Sequence, residues 1–337
     1  MRKHTAWRFG VALGLVLLLA ATLLLFPPYR PLAATGTHAT ATARHSYTDA
    51  SRPDPFSTDG ARRTVNVAFW YPQDGDGTFP LVIFSHGGLA TETSNESLCL
   101  ELASHGYVVA SIGHPHHALW TRDEQGHTTF VAKEYAQELQ REDASRDKER
   151  SYRDYQQWME LRTDDINFVI DAVLEKAANG AGGLYSLVDA GRIGVTGHSL
   201  GGSAALAIPR QRDDISAVAA LESPFLYDIV GVANDEFVWR DAAYPAPVLN
   251  IYSDSSWDQL GQWPQYARNA ALLADASGTA VSLHLPGAGH FSLTDLSLAS
   301  PLLTRLLEGR PSDRDRAAYL REVNRAVLEF LDRHLKK

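Results

Sequence analysis

Short hydrophobic runs alternate with longer amphipathic stretches along most of the chain beyond residue 60. The runs are rich in valine, isoleucine, leucine and alanine, as is typical of strands that are buried on both faces of a parallel sheet. Strands are predicted at residues 64–71, 81–84, 107–112, 193–195, 218–221, 248–252 and 281–285. Helices are predicted at residues 94–105, 152–178, 203–207, 264–276 and 314–335. Strands that alternate with helices predict an α/β fold with a mostly parallel sheet.

Two stretches interrupt this alternation and divide the chain into parts. Residues 35–60 are rich in Pro, Ala, Thr, Ser and Asp, so we expect a linker or leading segment there. Residues 114–150 are polar and charged, which indicates a lid inserted into the main domain. That domain is predicted to extend over residues 61–337, and the sequence contains no internal repeat.

Residues 1–34 combine a basic start with a long uncharged stretch. Residues 9–26 carry no charge, are rich in leucine and follow three basic residues. The stretch is longer than a usual signal-peptide core and close to the minimum for a membrane span. Because no small-x-small cleavage site lies near it, we favour an uncleaved signal anchor over a cleaved signal peptide. The basic N-terminal flank then predicts an extracytoplasmic protein, membrane-anchored or, if the segment is cleaved, secreted.

The composition narrows the class of protein. Hydrophobic residues make up 45% of the 337 residues and charged residues 21%, which is enough apolar material for a large core. The formal net charge is −9 and no basic patch interleaved with aromatic residues is present, so no nucleic-acid partner is expected. Cys99 is the single cysteine, which excludes an intramolecular disulfide.

A candidate nucleophile lies between a predicted strand and a predicted helix. Residues 197–201 read Gly-His-Ser-Leu-Gly, after a short apolar strand and before a small-residue helix. Glycines on both sides of Ser199 permit the sharp turn that exposes a serine hydroxyl at the edge of a sheet. This context predicts the nucleophile elbow of an α/β-hydrolase, with the N–H of Leu200 as one oxyanion donor.

One histidine and three carboxylates are candidates for the rest of a catalytic triad. His290 lies in a glycine-rich loop after the last predicted strand, and in this fold the histidine comes last in the chain order nucleophile, acid, histidine. Glu222 directly follows one core strand, and a carboxylate there is costly to bury without a partner. Asp254 and Asp258 follow the next core strand, where Asp254 also suits a turn. The residues favour Glu222 as the acid and leave Asp254 as the alternative.

A second oxyanion donor is expected from residues 85–88, Ser-His-Gly-Gly, which follow a core strand. Glycine lets this backbone approach a substrate oxygen, so Gly88 is the predicted donor and His86 a residue that orients the loop. Residues 114–117, His-Pro-His-His, match no standard zinc spacing. We therefore expect neither a metal nor another cofactor.

With these residues in place, the chain resembles the platelet-activating-factor acetylhydrolase family, in its plasma-type and bacterial calcium-independent branch. The resemblance covers about residues 45–300. The stretches that carry it are 83–88 (Ile-Phe-Ser-His-Gly-Gly), 102–110 (Leu-Ala-Ser-His-Gly-Tyr-Val-Val-Ala), 197–202 (Gly-His-Ser-Leu-Gly-Gly), 289–291 (Gly-His-Phe) and 51–53 with 69–72 (Ser-Arg-Pro, Phe-Trp-Tyr-Pro). The second stretch is not a general hydrolase motif and is therefore the most diagnostic.

The resemblance implies an α/β-hydrolase fold and a serine carboxylic-ester hydrolase that forms an acyl-enzyme without a metal. Its substrates would be short-chain or oxidised acyl esters, phospholipids at the sn-2 position among them. In this family the acid follows the strand directly after the nucleophile helix, and this chain has Glu222 there in place of aspartate. The longer side chain keeps Asp254 open as the alternative acid.

Other functions are compatible with the same residues. A dienelactone, polyester or amide hydrolase can use the same fold, because a fold does not determine a substrate. A catalytically inactive extracytoplasmic binding module would leave the combination of Ser199, His290 and the glycine loop unexplained. We therefore expect an enzyme whose partner is a small-molecule ester or phospholipid, and the sequence does not predict an oligomeric state.

Overall fold

Residues 2–273, 279–309 and 315–336, which the computed structural model describes, contain an eight-stranded sheet and two small hairpins. The strands are β1 (Thr40–Pro53), β2 (Arg62–Pro72), β3 (Phe79–Ser85), β4 (Val108–Ile112), β5 (Trp120–Arg122), β6 (Thr128–Phe130), β7 (Val188–His198), β8 (Ile215–Leu221), β9 (Ile229–Ala233), β10 (Glu236–Trp239), β11 (Val248–Ser253) and β12 (Ala280–Leu285). The order in the sheet is β1-β2-β4-β3-β7-β8-β11-β12.

The pairing in the sheet is mostly parallel. β1 is antiparallel to β2, and β2 is antiparallel to β4. Every pair from β4 to β12 is parallel. The β5–β6 and β9–β10 pairs form the two antiparallel hairpins outside this sheet. The predicted α/β fold with a mostly parallel sheet is confirmed.

Helices cover both faces of the sheet. They are α1 (Arg2–Leu25), α2 (Glu96–Ser104), α3 (Lys133–Arg141), α4 (Lys148–Ala178), α5 (Leu200–Ala207), α6 (Asp254–Trp257), α7 (Ala267–Leu273), α8 (Leu296–Ala299), α9 (Pro301–Glu308) and α10 (Arg316–Leu335). Buried side chains of α4 and α5 join one core, and those of α2 and α10 join the other. Along β3, Leu81 and Ile83 lie in the first core and Val82 and Phe84 in the second. Burial on both faces accounts for the continuous apolar runs that predicted the strands.

Residues 35–60 differ from the linker or leading segment that their composition suggested. They contain β1, an edge strand that pairs antiparallel with β2. Upstream of β1 the backbone is attached to α2, because the N–H of Leu32 donates to the Ser97 hydroxyl at 2.8 Å. The N–H of Thr35 donates to the Glu101 carboxylate, also at 2.8 Å. This part of the chain is therefore packed against the domain.

The segment 114–150, expected as a lid, contains the β5–β6 hairpin, α3 and the first residues of α4. Tyr135 and Ala144 of this segment are buried in the core that contains α4. The segment 114–150 therefore packs on the α4 side of the sheet.

The helix expected at 264–276 corresponds to a 3-10 turn followed by α7, and its last three residues lie outside the described part of the chain.

The first helix, α1, precedes the sheet domain. The hydroxyl of Ser300, at the start of α9, donates a hydrogen bond to the carbonyl of Leu25 at the end of α1. Within the described residues, no helix combines the length and the apolar character that a membrane crossing requires. The membrane anchor expected from residues 1–34 stays a prediction.

Candidate active site

The turn between β7 and α5 holds Ser199 in a strained backbone conformation. β7 ends at His198, α5 begins at Leu200, and Ser199 between them has φ +53° and ψ −125°. A non-glycine residue in such a region costs on the order of 1–3 kcal/mol and persists only where the surroundings enforce it. The N–H of Ser199 donates to the Leu221 carbonyl at 2.8 Å, which ties the turn to the end of β8.

The glycines beside Ser199 permit a close approach of backbones. A Cβ atom on Gly197 would lie 2.6 Å from the carbonyl oxygen of Ser85, and one on Gly201 would lie 2.1 Å from the same oxygen. Both separations are far below van der Waals contact, so side chains at these positions would push α5 away from β3. The sequence therefore needs glycine at both positions to build this turn.

His290 and Glu222 meet near the carboxyl end of the sheet. His290 begins a 3-10 turn that follows β12, and its Nδ1 lies 3.9 Å from Oε1 of Glu222. The backbone of His290 is fixed on both sides: its N–H donates to the Ser255 hydroxyl at 3.1 Å, and its carbonyl oxygen lies 3.0 Å from Nε2 of His198. The structure thus brings together the histidine and the carboxylate that the sequence favoured.

Glu222 is buried and held by several hydrogen bonds. Its carboxylate oxygens accept from the backbone N–H of Ser253 at 2.5 Å and from the Ser253 hydroxyl at 2.8 Å. Its carbonyl accepts from the hydroxyl of Tyr266 at 3.1 Å. Its backbone has φ +58°, in the left-handed region that residues other than glycine seldom adopt. Strain at a buried carboxylate beside a histidine is typical of a functional site.

The alternative acids occupy different surroundings. Asp254 accepts from the N–H of Gly287 at 3.0 Å, and its other oxygen lies 2.8 Å from Nε2 of His284. His284 in turn stacks on Trp257, with ring centroids 4.5 Å apart. Asp258, which directly follows α6, is exposed. The structure therefore brings Glu222 to His290 and Asp254 to His284.

The loop after β3 passes beside the nucleophile. A Cβ atom on Gly87 would lie 3.4 Å from Cβ of Ser199, whereas one on Gly88 would face Leu139 at 3.1 Å. Within the described residues, the backbone N–H groups of Gly87, Gly88 and Leu200 donate to no protein acceptor. The role of Gly88 and Leu200 as oxyanion donors stays a prediction.

His86 supports this loop from inside the protein. Its Nδ1 lies 2.7 Å from the Gly87 carbonyl and its Nε2 lies 3.1 Å from the Gly113 carbonyl. Burial, reinforced by the positive charge of Arg162, keeps the pKa of His86 well below its usual range. A neutral imidazole has a single N–H and can donate to only one of these carbonyls, and its ring lies between the loop after β3 and the loop after β4, which fits the supporting role suggested by its position in the sequence.

Ser199 lines a cavity of about 410 Å³ beneath the segment 114–150. Most of the wall is apolar or aromatic, with contributions from Leu139, Tyr155, Trp158, Leu226, Trp263 and Tyr266. A volume of this size is within the range of small-molecule sites, which are commonly apolar with a few polar groups. The nucleophile candidate therefore borders a space large enough for a small molecule.

A sequence profile of the family described as "Platelet-activating factor acetylhydrolase, isoform II" matches residues 64–337. The chain belongs to this family. The matched residues include the elbow serine, the His290–Glu222 pair and the glycine loop.

Named relatives of this family member are distant. Platelet-activating factor acetylhydrolase of Gallus gallus is 24% identical over 281 residues, which cover 76% of this chain and 62% of the relative. The protein of the same name from Canis lupus familiaris is 24% identical over 279 residues, covering 76% of this chain and 57% of the relative. This chain therefore spans about three fifths of the length of the relatives that it matches.

A solved structure with a similar fold is the ferulic acid esterase from Streptomyces cinnamoneus. It superposes with a TM-score of 0.66 at 22% sequence identity, over 90% of this chain and 92% of the esterase chain. At this level of identity the similarity shows the fold alone. The predicted α/β-hydrolase fold of this acetylhydrolase family member is confirmed.

A buried serine–histidine–aspartate array, separate from Ser199 and His290, includes the last residue of β3. His114 Nε2 lies 2.9 Å from the Ser85 hydroxyl, and its Nδ1 lies 3.1 Å from Oδ2 of Asp165. Arg63 donates two hydrogen bonds to the same aspartate, at 3.1 and 2.7 Å. All four residues are 0% exposed, so a substrate cannot reach Ser85. The array is a structural tie between β3, the loop after β4 and α4.

The remaining histidines of residues 114–117 pack on aromatic rings. His116 stacks on Phe56 with ring centroids 4.5 Å apart, and His117 stacks on Tyr135 at 3.7 Å. Burial keeps the pKa of His117 well below its usual range. In the part of the chain that the structure describes, no group of three or more His, Cys, Asp or Glu side chains is placed to hold a metal ion.

Sequence reasoning missed Arg162 and Asp165, two fully buried charged residues of α4. Asp165 accepts from Arg63, and Arg162 donates to the carbonyl of His86 at 2.5 Å. The spacing held a signal, because Arg162 lies four residues from both Trp158 and Ile166 on the apolar face. A charged residue on such a face needs a partner, and the glycine loop provides one here.

Proposed function

We propose that this family member is a serine carboxylic-ester hydrolase, with Ser199 as nucleophile, His290 as general base and Glu222 as the triad acid. The observation that carries the proposal is the backbone of Ser199, held at φ +53° between β7 and α5 at the wall of a cavity. Strain at a strand–helix junction supports a functional role, because the surrounding structure must maintain it. The separation of 3.9 Å between His290 and Glu222 supports the other two assignments.

In the proposed first step, the Ser199 hydroxyl attacks the ester carbonyl carbon while its proton passes to Nε2 of His290. The carbonyl oxygen becomes the oxyanion of a tetrahedral intermediate and accepts from the N–H groups of Gly88 and Leu200. Collapse breaks the bond to the alcohol oxygen, which takes the proton from His290 and leaves an acyl-enzyme. Water, deprotonated by His290, then attacks the acyl carbon and releases a carboxylic acid and the free serine.

Glu222 acts in this mechanism through His290. Its carboxylate faces Nδ1, so it favours the tautomer whose Nε2 accepts the serine proton, and it stabilises the imidazolium that results. The two hydrogen bonds from Ser253 fix the carboxylate for that role. A separation of 3.9 Å is longer than a hydrogen bond, as is common for catalytic pairs before substrate binds.

The proposed substrates are esters of short or oxidised acyl chains, phospholipids among them. Family membership and the apolar cavity of about 410 Å³ beside Ser199 support this class. Hydrolysis of another bond on the same fold, in a dienelactone, polyester or amide, is the alternative. Hydrolysis rates on acyl esters of different chain lengths, compared with rates on a lactone, a polyester and an amide, separate these.

We also propose an extracytoplasmic location, with residues 1–34 acting as a signal anchor or a cleaved signal peptide. The support is the basic start followed by the uncharged residues 9–26. Fractionation and N-terminal sequencing after expression of the full chain test this. An intact N-terminus in the membrane fraction indicates an anchor, a shortened one outside it a cleaved signal, and an intact soluble cytoplasmic protein contradicts both.

The activity is tested with p-nitrophenyl acetate, p-nitrophenyl esters of longer chains and an oxidised phospholipid. The wild-type protein should hydrolyse the short esters, and Ser199→Ala should retain less than a few per cent of that rate. Ser186→Ala, an exposed serine whose hydroxyl donates to the Gly183 carbonyl at 2.8 Å, is the matched control and should behave as wild type. A wild-type protein inactive on every ester would contradict the proposed function.

A further inference from the structure

Arg162 is a buried cation whose hydrogen bonds converge on the glycine loop. It is 0% exposed, and one guanidinium nitrogen donates to the His86 carbonyl at 2.5 Å. The second terminal nitrogen, Nη2, lies 3.4 Å from the Gly87 carbonyl, 3.4 Å from the His117 carbonyl and 3.3 Å from the hydroxyl of Tyr135. Its contacts are thus mostly with backbone oxygens.

In the part of the chain that the structure describes, no carboxylate compensates this charge at close range. Among the described residues, none lies within the 4.0 Å that defines an ion pair with Arg162. Arg63, equally buried, lies 2.7 Å from Asp165 and shows the usual arrangement. A buried charge without a counterion is strongly unfavourable, so other groups must stabilise it. Here the negative ends of backbone dipoles do so.

The direction of these carbonyls determines where the neighbouring N–H groups point. In a planar trans peptide unit, the C=O of one residue and the N–H of the next point in opposite directions. The His86 carbonyl points to Arg162, so the N–H of Gly87 points away from it. The Gly87 carbonyl lies 3.4 Å from Arg162 and 2.7 Å from Nδ1 of His86, so these two side chains together direct the N–H of Gly88 away from Arg162. The loop passes Ser199 at this place, where a Cβ on Gly87 would lie 3.4 Å from that of Ser199.

We propose that Arg162 is a positioning residue for the oxyanion hole. It orients the peptide units at residues 86–88 so that their N–H groups point toward the substrate oxygen, and its charge polarises those N–H groups. This inference rests on the proposed ester-hydrolase function. A cation at the carbonyl end of a peptide unit strengthens the hydrogen bond that its N–H end donates. Donors fixed in advance need no rearrangement when negative charge develops on the substrate oxygen.

The proposal distinguishes Arg162 from a residue that only stabilises the fold. An oxyanion donor acts mainly in the transition state, so its loss lowers kcat and leaves KM nearly unchanged. Replacement by methionine removes the charge and the hydrogen bonds at similar length. Replacement by lysine keeps the charge, but one ammonium group cannot reproduce the planar fork that reaches two carbonyls.

The experiment compares Arg162→Met and Arg162→Lys with Arg210→Met. Arg210 is a matched control because it is nearly buried and donates to the carbonyls of Ala243 and Ala242 at 2.7 and 3.3 Å, in a loop that is not part of the proposed machinery. Arg210 also forms an ion pair with Asp228 at 2.8 Å. Its replacement leaves Asp228 paired with a second arginine, Arg268, at 3.0 Å. Readouts are kcat and KM on p-nitrophenyl acetate, and inhibition by an aryl trifluoromethyl ketone, whose adduct with the serine hydroxyl carries an oxyanion.

We expect Arg162→Met to lower kcat by about 10²- to 10³-fold, the range for loss of one oxyanion donor, with KM within about threefold of wild type. The inhibition constant of the ketone should rise in parallel with the loss in kcat/KM. Arg162→Lys should lower kcat by about tenfold, with a matching rise in the inhibition constant of the ketone. If the methionine variant does not fold, the lysine variant provides the test. Arg210→Met should keep wild-type kcat and ketone affinity.

The contradicting results are equally specific. Folded Arg162 variants with kcat within threefold of wild type would overturn the proposal. So would a loss in kcat with unchanged ketone affinity, or an equal loss in Arg210→Met. A failure of the proposed function itself would be visible beforehand, as a wild-type protein that does not hydrolyse the ester.

Discussion

Oε1 of Glu222 lies 3.9 Å from Nδ1 of His290, and Glu222 is held in the left-handed backbone region with φ +58°. The residue sits directly after β8, where Ser253 at the end of β11 donates two hydrogen bonds to its carboxylate. A carboxylate held by strained backbone and by a neighbouring strand has a fixed direction. That direction is toward the imidazole proposed as the base.

Replacement of the two candidate acids should therefore have unequal effects. Glu222→Gln should lower kcat by about 10³ to 10⁴, the order seen when a triad acid loses its charge. Asp254→Asn should cost about tenfold, since it weakens turn hydrogen bonds worth about 1 kcal/mol each. Steady-state kinetics on p-nitrophenyl acetate measures both variants. The opposite ranking would assign the acid to the end of β11 and remove Glu222 from the mechanism.

Relief of the backbone strain at Ser199 should raise the free energy of unfolding, although it removes the proposed nucleophile. Ser199→Gly should unfold with a free energy about 1 kcal/mol above wild type, because glycine adopts φ +53°, ψ −125° without the steric penalty. Ser199→Ala keeps the Cβ and the strain, so its stability should equal that of wild type. Urea unfolding of the three proteins, all with the same slope, makes the comparison. A glycine variant no more stable than the alanine variant would argue against backbone strain at this position.

Acid should destabilise the fold through buried histidines. Burial lowers the pKa of His86, His114, His117 and His198, that of His114 to about 4, whereas an unfolded histidine titrates near pH 6.5. Between these values the unfolded chain binds more protons, so stability is complete above about pH 6.5 and is lost as the pH falls. Burial raises the pKa of Asp295 to about 6, which has the opposite sign between about pH 4 and 6.

The histidines, His116 included, give a net loss as the pH falls below about 6.5, on the order of 1.4 kcal/mol per pH unit for each one that stays neutral in the folded protein. Carboxylates whose pKa burial raises, which are Glu96, Asp154, Asp164 and Asp295, oppose this loss at lower pH. Urea unfolding at pH 7.0, 6.0 and 5.0 measures the net loss, and Asp295→Asn should steepen it because the substitution removes one of the opposing groups. A midpoint that is constant or rises on acidification would show that the buried imidazoles are protonated in the folded protein.

Activity should survive chelation. The proposed mechanism stabilises the oxyanion with backbone donors, and the side chains of His114, His116 and His117 are engaged by Asp165 and by aromatic rings. Hydrolysis rates before and after dialysis against EDTA should agree within error. A loss of activity that zinc or calcium reverses would contradict this prediction and would support metal binding by residues 114–117.

The parts of the fold that sequence predicts best are those buried on both faces. β3, β8 and β11 were visible as continuous apolar runs, because each lies inside a parallel sheet between two helical layers. β1 lies in the segment whose composition predicts a linker or leading segment, because it is an edge strand with only β2 beside it and many of its side chains are exposed. Alternating threonines at 40 and 42 were the remaining sign of a strand.

The candidate site was predictable to a different degree for each residue. Ser199 and His290 lie in glycine-rich contexts whose geometry is local, so the chain pattern alone points to them. The choice between Glu222 and Asp254 depends on two adjacent strands and on which histidine each carboxylate meets, and spacing along the chain does not contain that information. Arg162 depends on the direction of carbonyls in a loop about 75 residues away.

The most direct test of the central claim is covalent labelling by a fluorophosphonate, followed by peptide mass spectrometry. Wild-type protein should gain one adduct, on the peptide that contains Ser199, with stoichiometry close to one and with loss of esterase activity at the same rate. Ser199→Ala should remain unlabelled, His290→Ala should label at least about a hundredfold more slowly, and Ser186→Ala should label as wild type. An adduct on another serine, or full inhibition of the ester hydrolysis without an adduct at Ser199, would contradict the account.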